Sequence, residues 1–489
     1  MTSDGLSRRQ LAAIAAWSAL GVSAPSAVLG QVERTAKSRP DPESSSTFPN
    51  GFEWGTATSC YQIEGGVGED GRGPSIWDSF VHQPGNISDR SNADTATDHY
   101  HLYKSDVQLM KALGTTAYRF SIAWPRIFPE GTGTANPKGL DFYQRLVDEL
   151  LANNIKPFAT LYHWDLPQAL QDRFGGWISR DTSKAFADYA GHIASRLGDR
   201  IGHFFTINEC SRHVHHGHGI GIDAPGLKMS PSGLKQVRHH LALAHGLAVQ
   251  AIRAHAPASV RVGPAENAVS CVPAIDNPAN IRAAEIATRE LNAGYLTVMM
   301  EGKYPDAYLA QDAPKFTAEE LRSISSPIDF IGLNVYTPDH YVLANESERG
   351  FTLVPFPTSF PHMKATWLRP GPEAIYWVGR HVTRLWNVKS IYISENGTSG
   401  SDQPAADGIV YDTDRIMYLR NYLTQLQRAV SDGLPIHGYF LWSLMDNFEW
   451  ADGYDQRFGL YHVDFKTKRR TPKLSASFYR ETIARNAVA

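Results

Sequence analysis

Two apolar segments of this sequence each end in a glutamate. Residues 391–397 read IYISENG, and residues 204–210 read FFTINEC. Both runs have the character of a buried strand, and the Asn-Gly that follows Glu395 is a turn signal. A lone glutamate is most often a solvated surface charge, but Glu209 and Glu395 both close apolar strands. Paired carboxylates on either side of one bond are the machinery of glycoside hydrolysis.

The elements that would position these carboxylates are eight short apolar segments. They are residues 52–59, 117–124, 156–164, 203–209, 260–267, 330–336, 390–395 and 436–443. Amphipathic stretches lie between them, for example residues 140–152, 182–197, 234–254 and 414–432. Alternating strands and helices predict a parallel sheet, and eight repeats predict a single (β/α)8 TIM barrel over residues 48–489. Its long βα loops would form the active-site face. Residues 345–372, rich in Pro, Thr and aromatics, are expected to be a long loop that walls the site.

Composition is that of a soluble globular protein. The 489 residues are 42% hydrophobic and 20% charged with a net charge of −3, so nucleic acid or anionic membrane partners are unsupported. Eleven tryptophans slightly favour a carbohydrate ligand, because flat apolar rings stack on sugar faces. The three cysteines, an odd number, do not make a disulfide framework, and we expect free thiols.

The N-terminal 30 residues resemble a twin-arginine export signal. Arg8-Arg9 precedes an apolar, Ala-rich run, and small residues follow where cleavage would occur. The alternative is a flexible N-terminus with two chance arginines. Residues 31–47 are polar and Pro/Ser-rich, which predicts a disordered linker. The precursor would then use the twin-arginine export machinery, and the mature protein would be periplasmic or secreted, with no membrane partner.

Eight motifs together resemble successive signatures of the family 1 glycoside hydrolases. They are TFPNGFEWGTATSCYQIEGG (47–66), TAYRFSIAWPRIFP (116–129), TLYHWDLPQAL (160–170), TINEC (206–210), IGLNVY (331–336), YISENG (392–397), WSLMDNFEW (442–450) and RFGLYHVDF (457–465). The resemblance runs from about residue 48 to 479. The relatives that it implies are β-glucosidases and β-galactosidases.

The resemblance implies a role for each carboxylate. Glu395 matches the nucleophile, which attacks the anomeric carbon, and Glu209 matches the acid/base, which begins protonated and later deprotonates water. Arg119 and Tyr336 match the family residues that hold the nucleophile. A buried arginine can also be purely structural, so Arg119 is expected to be part support and part catalysis.

A sugar pocket is implied by the same resemblance. The matched groups are Gln62, His163, Asn208, Tyr336, Trp442, Glu449 and Trp450, with supporting positions at Arg119, Trp164, Asn334, Trp367 and Phe458. The peptide bond between Trp442 and Ser443 is expected to be cis. Glu449 and Trp450 argue against 6-phosphosugar substrates, and retention of Glu209 argues against a thioglucosidase, in which the acid is replaced by Gln.

The chain departs from the family pattern near the acid. Position 210, normally Pro, is Cys210, and Val335 replaces a more usual Tyr. Residues 213–218, HVHHGH, resemble a metal tract. His215 and His218 could share a helix face, but no Cys or carboxylate in the run completes a ligand set. We therefore favour lining of the aglycone side or polar packing, and we expect no metal and no cofactor.

The resulting hypothesis is a metal-independent, retaining β-glycosidase. The expected activity is that of a β-glucosidase acting on a small-molecule β-glycoside, with some tolerance of β-galactosides or β-fucosides. A transglycosylase and a non-catalytic carbohydrate-binding protein are the alternatives, and the presence of both glutamates argues against the second. The natural aglycone and the oligomeric state stay open.

Overall fold

Eight parallel strands close into a barrel in the computed structural model, which describes residues 47–489. The expected export signal and the linker up to residue 46 lie outside the described residues. The barrel strands are β1 (Glu53–Ala57), β2 (Ala117–Ser121), β3 (Lys156–Tyr162), β4 (His203–Asn208), β5 (Arg261–Glu266), β6 (Ile331–Asn334), β7 (Ile391–Asn396) and β8 (Ile436–Trp442). Each strand pairs with its neighbours in sequence, and β1 pairs with β8. The predicted (β/α)8 barrel is confirmed.

A long helix follows each barrel strand. These helices are α1 (His99–Leu113), α2 (Pro137–Ala152), α3 (Arg180–Leu197), α4 (Pro231–His255), α5 (Pro278–Leu291), α6 (Glu373–Trp386), α7 (Thr413–Ser431) and α8 (Leu474–Arg485). Shorter helical segments occupy the connections at Cys60–Ile63, Ile76–Val81, Trp124–Ile127, Gln168–Phe174, Gly176–Ile178, Cys210–His213, Val214–Ile220, Ala293–Thr297, Val298–Glu301, Asp306–Leu309, Ala318–Ile324 and Trp450–Asp452. In residues 47–489, no helix is both long enough and apolar enough to cross a membrane.

Local sequence sets where several helices begin. The helices α2, α4 and α5 start with Pro directly after an Asn or Ser cap, whose side chain accepts a backbone N–H of the first turn. Proline suits this position because its fixed φ is helical and its missing N–H would have had no helical partner.

Aromatic side chains fill the lower part of the barrel. The rings of Phe158 (β3) and Phe440 (β8) meet edge to face at 4.9 Å across the interior. Gly55 in β1 makes room for them, because a Cβ atom there would lie 2.5 Å from the Phe440 ring. Because this core is packed, the barrel interior is not a pore, and the cavity described below lies at the C-terminal ends of the strands.

The segment 345–372 is not one long loop, as expected from its composition. Phe351–Val354 forms an antiparallel pair with His340–Ala344, which itself pairs with Cys271–Pro273. The prediction failed because this strand is short and its partner cannot be read from local sequence. The remainder of the segment carries Trp367. A second small sheet joins Tyr461–Val463 to Arg470–Pro472.

The two ends of the described chain meet at the N-terminal rim of the barrel. Thr47, the last residue of the expected linker, bridges to Ala487, and the Phe48 N–H donates to the Asn486 carbonyl at 2.8 Å. The Trp54 indole N–H donates to Asn486 Oδ1 at 2.9 Å. This rim lies opposite the C-terminal strand ends.

A buried ion cluster ties the last two βα connections to the final helix. Lys473, which precedes α8, lies 2.6 Å from Asp446 after β8 and also contacts Asp402 after β7. Arg415 of α7 contacts Asp402 and lies 2.8 Å from Asp412. All five side chains are buried. The charges therefore compensate one another in the dry interior, as buried charges must.

Candidate active site

The ends of β4 and β7 bring Glu209 and Glu395 to one cavity at the C-terminal face of the barrel. Glu395 belongs to β7 and Glu209 directly follows β4, and both are buried. The cavity measures about 580 Å³. Of the residues expected from sequence, its lining includes Trp164, Glu209, Asn334, Tyr336, Trp367, Trp442, Glu449, Trp450 and Phe458. Four others, Gln62, His163, Asn208 and Glu395, contact residues of this lining, and Arg119 lies behind them, bonded to Asn208 and Glu395.

Glu395 is surrounded by hydrogen-bond donors. Arg119 Nη1 lies 2.5 Å from its Oε1, and the Tyr336 hydroxyl donates to its Oε2 at 2.7 Å. Arg119 is fully buried and also donates to Asn208 Oδ1 at 2.6 Å. Such charge-assisted bonds are among the strongest that a carboxylate receives, and they suit an ionised side chain.

Glu209 has a different environment. Its Oε1 accepts a hydrogen bond from Asn334 Nδ2 at 2.9 Å, and within residues 47–489 no Lys or Arg forms an ion pair with it. Burial, together with the negative charge of Glu395, raises the pKa of Glu209 to about 8. Glu209 also adopts a left-handed backbone conformation, with φ of +45°. Two carboxyl groups in contrasting surroundings are the arrangement that separates an acid from an anion.

A chain of hydrogen bonds joins His163, Asn208 and Trp164 beside the cavity. Asn208 Nδ2 lies 3.0 Å from His163 Nε2, and the Trp164 indole N–H donates to the Asn208 carbonyl at 2.8 Å. Burial and the nearby charge of Arg119 hold the pKa of His163 well below its usual value, so the ring is neutral. Among residues 47–489, its buried Nδ1 finds no hydrogen-bond partner. A buried polar nitrogen without a partner calls for an explanation such as a water or a ligand group that would pair with it.

Gln62 and Glu449 are neighbouring side chains at another part of the cavity wall. Gln62 Nε2 donates to the Phe448 carbonyl at 2.8 Å and lies 3.3 Å from Glu449 Oε2. Burial raises the pKa of Glu449 to about 8. The Trp442–Ser443 peptide bond is cis, as expected, and the Trp442 ring lies over His163 with centroids 5.7 Å apart. The Trp450 ring lies 4.6 Å from Trp164.

Two aromatic side chains, those of Trp367 and Phe458, line the cavity beside Tyr336. Trp367 is 45% exposed and meets the Tyr336 ring edge-on at 5.6 Å. Phe458 also meets the Tyr336 ring edge-on, with centroids 6.4 Å apart. Trp367 and Phe458 therefore form an apolar part of the cavity wall beside Tyr336.

The histidine tract forms part of a π-helix, Val214–Ile220. His215 and His216 line the cavity, whereas His218 is buried away from solvent. The prediction that His215 and His218 share a helix face is wrong because a π-helix bonds residues five apart and alters the side-chain period. His216 Nδ1 lies 3.4 Å from Asp223 Oδ2. Within the part of the chain that the structure describes, no group of three or more His, Cys, Asp or Glu is arranged to hold a metal.

Two residues near the site were missed by sequence reasoning. Arg212 lies over the Trp164 ring at 4.6 Å and 3.7 Å from Asp223. Glu266 ends β5 and accepts hydrogen bonds from the backbone N–H groups of Cys210 and Ser211. A carboxylate that closes an apolar strand is the same signal that pointed to Glu209 and Glu395. The three cysteines are free and buried, as expected.

Known proteins resemble this chain over nearly all of its described length. The model described as Glycosyl hydrolase family 1 matches residues 44–488. Beta-glucosidase A of Acetivibrio thermocellus is 45% identical over 446 residues, which cover 90% of this chain and 99% of that protein. A family 1 β-glucosidase from Thermotoga maritima, solved with isofagomine lactam, is 39% identical with a TM-score of 0.82, covering 90% of this chain and 99% of that one.

A rice β-glucosidase variant, solved in a covalent complex with Glc, is 38% identical with a TM-score of 0.82, covering 89% of this chain and 99% of that one. The family match spans far more than half of the sequence. The resemblance read from the eight motifs is thereby confirmed. The chain belongs to glycosyl hydrolase family 1.

Proposed function

We propose that this protein is a retaining β-glucosidase that releases terminal non-reducing β-D-glucosyl residues. The observation that carries the proposal is the contrast between its two carboxyl groups. Glu395 receives bonds from Arg119 and Tyr336, whereas the buried Glu209 accepts from Asn334 and, among residues 47–489, forms no ion pair with Lys or Arg. One group is thus suited to act as an anion and the other as an acid.

In the first step, Glu395 attacks the anomeric carbon while Glu209 gives its proton to the departing glycosidic oxygen. The bond from the anomeric carbon to the aglycone breaks, and a glucosyl ester of Glu395 forms. As Glu395 loses its charge, the bonds from Arg119 and Tyr336 weaken, and the pKa of Glu209 falls because the neighbouring negative charge has gone.

In the second step, Glu209 acts as a base. It takes a proton from water, whose oxygen attacks the anomeric carbon and displaces the Glu395 carboxylate. Two inversions give net retention of the β configuration. The covalent complex of the rice relative supports this two-step course.

The sugar would be held by groups that line or adjoin the cavity. Asn208, fixed by Arg119 and His163, would contact the 2-hydroxyl, and the free Nδ1 of His163 would meet the 3-hydroxyl. Gln62 and Glu449 would hold the 4- and 6-hydroxyls, with Trp442 beneath the ring and Trp450 beside the 3-hydroxyl. Some tolerance of β-galactosides and β-fucosides would follow because the Glu449 carboxyl oxygens can accept a hydrogen bond from a 4-hydroxyl in either orientation.

The experiment is hydrolysis of 4-nitrophenyl β-glucoside followed by ¹H NMR. We expect release of nitrophenol and β-glucose as the first-formed anomer. A first-formed α-anomer would overturn the mechanism. An absence of hydrolysis across aryl β-glucosides, β-galactosides and β-fucosides would overturn the proposed activity.

We also propose that residues 1–30 direct export by the twin-arginine route, so that the enzyme works in the periplasm or outside the cell. The paired arginines and the following apolar run support this. Residues 1–47 fused to a folded reporter should carry it out of the cytoplasm, and replacing Arg8 and Arg9 by lysine should abolish export. Equal export of both fusions would contradict the proposal.

A further inference from the structure

The main chain at and directly after the acid/base Glu209 is held by hydrogen bonds to strand β5. The Glu209 N–H donates to the Ala265 carbonyl at 2.8 Å. The next two N–H groups, of Cys210 and Ser211, donate to the two carboxylate oxygens of Glu266 at 2.8 and 3.0 Å. Three consecutive backbone N–H groups are thus hydrogen-bonded to two consecutive residues of the neighbouring strand, Ala265 and Glu266.

This attachment matters because the backbone at Glu209 is in a costly conformation. A non-glycine residue at φ of +45° persists only when its surroundings over-determine it. Glu209 is the cap of the short helix Cys210–His213, and Cys210 is its first residue. The orientation of the Glu209 side chain therefore depends on how that first turn is held.

Position 210 is also where the sequence departs from its family, which normally has Pro there. Proline at the first position of a helix has a fixed φ and no N–H to satisfy. Cys210 has neither property, and its N–H is buried, so it needs an acceptor. Glu266 supplies that acceptor while itself being only 1% exposed.

We propose that Glu266 is a positioning residue for Glu209, and that its carboxylate replaces the constraint that proline would impose at position 210. The inference rests on the proposed function, in which Glu209 is the general acid. Glu266 touches neither the sugar nor the reacting atoms, and it acts by fixing the turn that carries Glu209.

The test is kcat/KM for 2,4-dinitrophenyl, 4-nitrophenyl and phenyl β-glucoside, which reports the glycosylation step. In Glu266→Gln, the amide can accept only one of the two N–H bonds. A misplaced acid penalises poor leaving groups most, so phenyl glucoside should lose at least about tenfold and the dinitrophenyl substrate much less, within the 10²–10⁴-fold that general acid catalysis supplies.

The second arm is rescue by proline. In a Cys210→Pro background the buried N–H is gone and φ is fixed, so Glu266→Gln should cost phenyl glucoside turnover clearly less than it does beside Cys210. If Glu266→Gln alone does not fold, the comparison is made with Glu266→Asp instead, both in the parent enzyme and in the Cys210→Pro variant. The shorter Asp side chain withdraws the carboxylate by one methylene group. An equal loss with and without Pro at 210 would overturn the proposal.

A matched control separates positioning from stability. Asp329 accepts the Val262 N–H at 2.7 Å at the opposite end of β5 and also lies 2.5 Å from Arg253. Asp329→Asn should lower the melting temperature but reduce turnover of all three substrates in the same proportion. A Glu266→Gln variant that behaves in this way would show that Glu266 is merely structural.

A pH profile gives an independent readout. The charged groups around Glu266 are Glu209 and Arg238, and the titratable groups Cys210 and Tyr295 also face it. The charge of Glu266 is the smallest of the influences that raise the pKa of Glu209, and burial raises the pKa of Glu266 itself to about 7, so Glu266→Gln should leave the basic limb of kcat/KM in place or move it slightly to lower pH. A limb that moves to higher pH would count against the proposal, whereas an inactive parent enzyme would instead refute the proposed function.

Discussion

The phenolic oxygen of Tyr336 lies 2.7 Å from Oε2 of Glu395, on the opposite side of that carboxylate from Arg119. Tyr336 is itself held in place, since its carbonyl accepts hydrogen bonds of 2.7 Å from Tyr418 and Tyr422 of α7. Helix α7 therefore helps to position the Glu395 carboxylate, although it lies outside the barrel.

Removing the Tyr336 hydroxyl should slow glycosylation. A hydrogen bond to a charged group contributes about 1.5–3 kcal/mol, so Tyr336→Phe should lower kcat/KM for 4-nitrophenyl β-glucoside by about 10- to 100-fold. Tyr376→Phe is the control, because Tyr376 donates to the Asp432 carboxylate at 2.8 Å away from the cavity. Equal losses in the two variants would contradict the role of Tyr336.

Replacing the two glutamates should have different consequences. Glu209→Gln should reduce turnover of poor leaving groups most, and added azide should restore turnover of activated substrates as a β-glucosyl azide. Glu395→Gln should abolish hydrolysis of every substrate. NMR identifies the products, and release of the aryl alcohol gives the rates. Identical losses on all leaving groups, without an azide effect, would contradict the roles assigned to Glu209 and Glu395.

The pH profile should show a basic limb well above the range of an ordinary carboxyl group. Glu209 must start protonated, and burial and Glu395 raise its pKa to about 8, so kcat/KM should persist through neutrality and fall as pH rises through that value. Arg212 lowers this pKa, so Arg212→Met should move the limb to higher pH. A limb near pH 5 in the parent enzyme would show that Glu209 is not the group being titrated.

Glu449 should make the enzyme tolerant at the 4-position and intolerant of a 6-phosphate. The Glu449 carboxyl oxygens can accept from either an equatorial or an axial hydroxyl, and a protonated carboxyl group keeps acceptor capacity, so glucoside and galactoside should differ by about 1–3 kcal/mol of transition-state binding. A 6-phosphoglucoside should be rejected because its charged phosphate would have to leave water beside the Glu449 carboxyl group, and Glu449→Ser should weaken plain glucosides and relax that rejection. The measurement is kcat/KM for the three 4-nitrophenyl glycosides, and preference of the parent enzyme for the phosphate would contradict this account.

Breaking the buried ion cluster should destabilise the fold. Lys473→Met leaves Asp402 and Asp446 with less compensation, and loss of one partner of a buried pair costs about 3–5 kcal/mol. Lys184→Met removes an exposed pair with Asp181 and should cost no more than about 1 kcal/mol. Denaturant unfolding monitored by tryptophan fluorescence measures both, and similar values would argue that the cluster adds no stability.

The barrel could be predicted from sequence because its strands are buried and locally apolar. The expected segment 203–209 became His203–Asn208, and 436–443 became Ile436–Trp442. The helix expected over 182–197 begins two residues earlier, where Ser179 caps Arg180–Leu197. The spacing of apolar residues predicts such elements well, since each strand or helix has this pattern within its own sequence.

Features that depend on contacts distant in sequence could not be predicted in this way. Phe351–Val354 becomes a strand only because His340–Ala344 lies beside it. The bonds from Cys210 and Ser211 to Glu266 join residues more than fifty positions apart, and no motif contains both ends. The π-helix at Val214–Ile220 likewise has no periodic pattern of its own.

The meeting of Thr47 with Ala487 has a practical consequence for anchoring this enzyme to a surface. Both ends of the described chain emerge at the N-terminal rim, whereas the cavity opens at the other end of the barrel. A support, a carrier domain or a second enzyme attached at either end would therefore leave the cavity mouth facing outward. The same proximity makes the ends joinable by a short linker, so new termini could be opened in an exposed connection of the barrel.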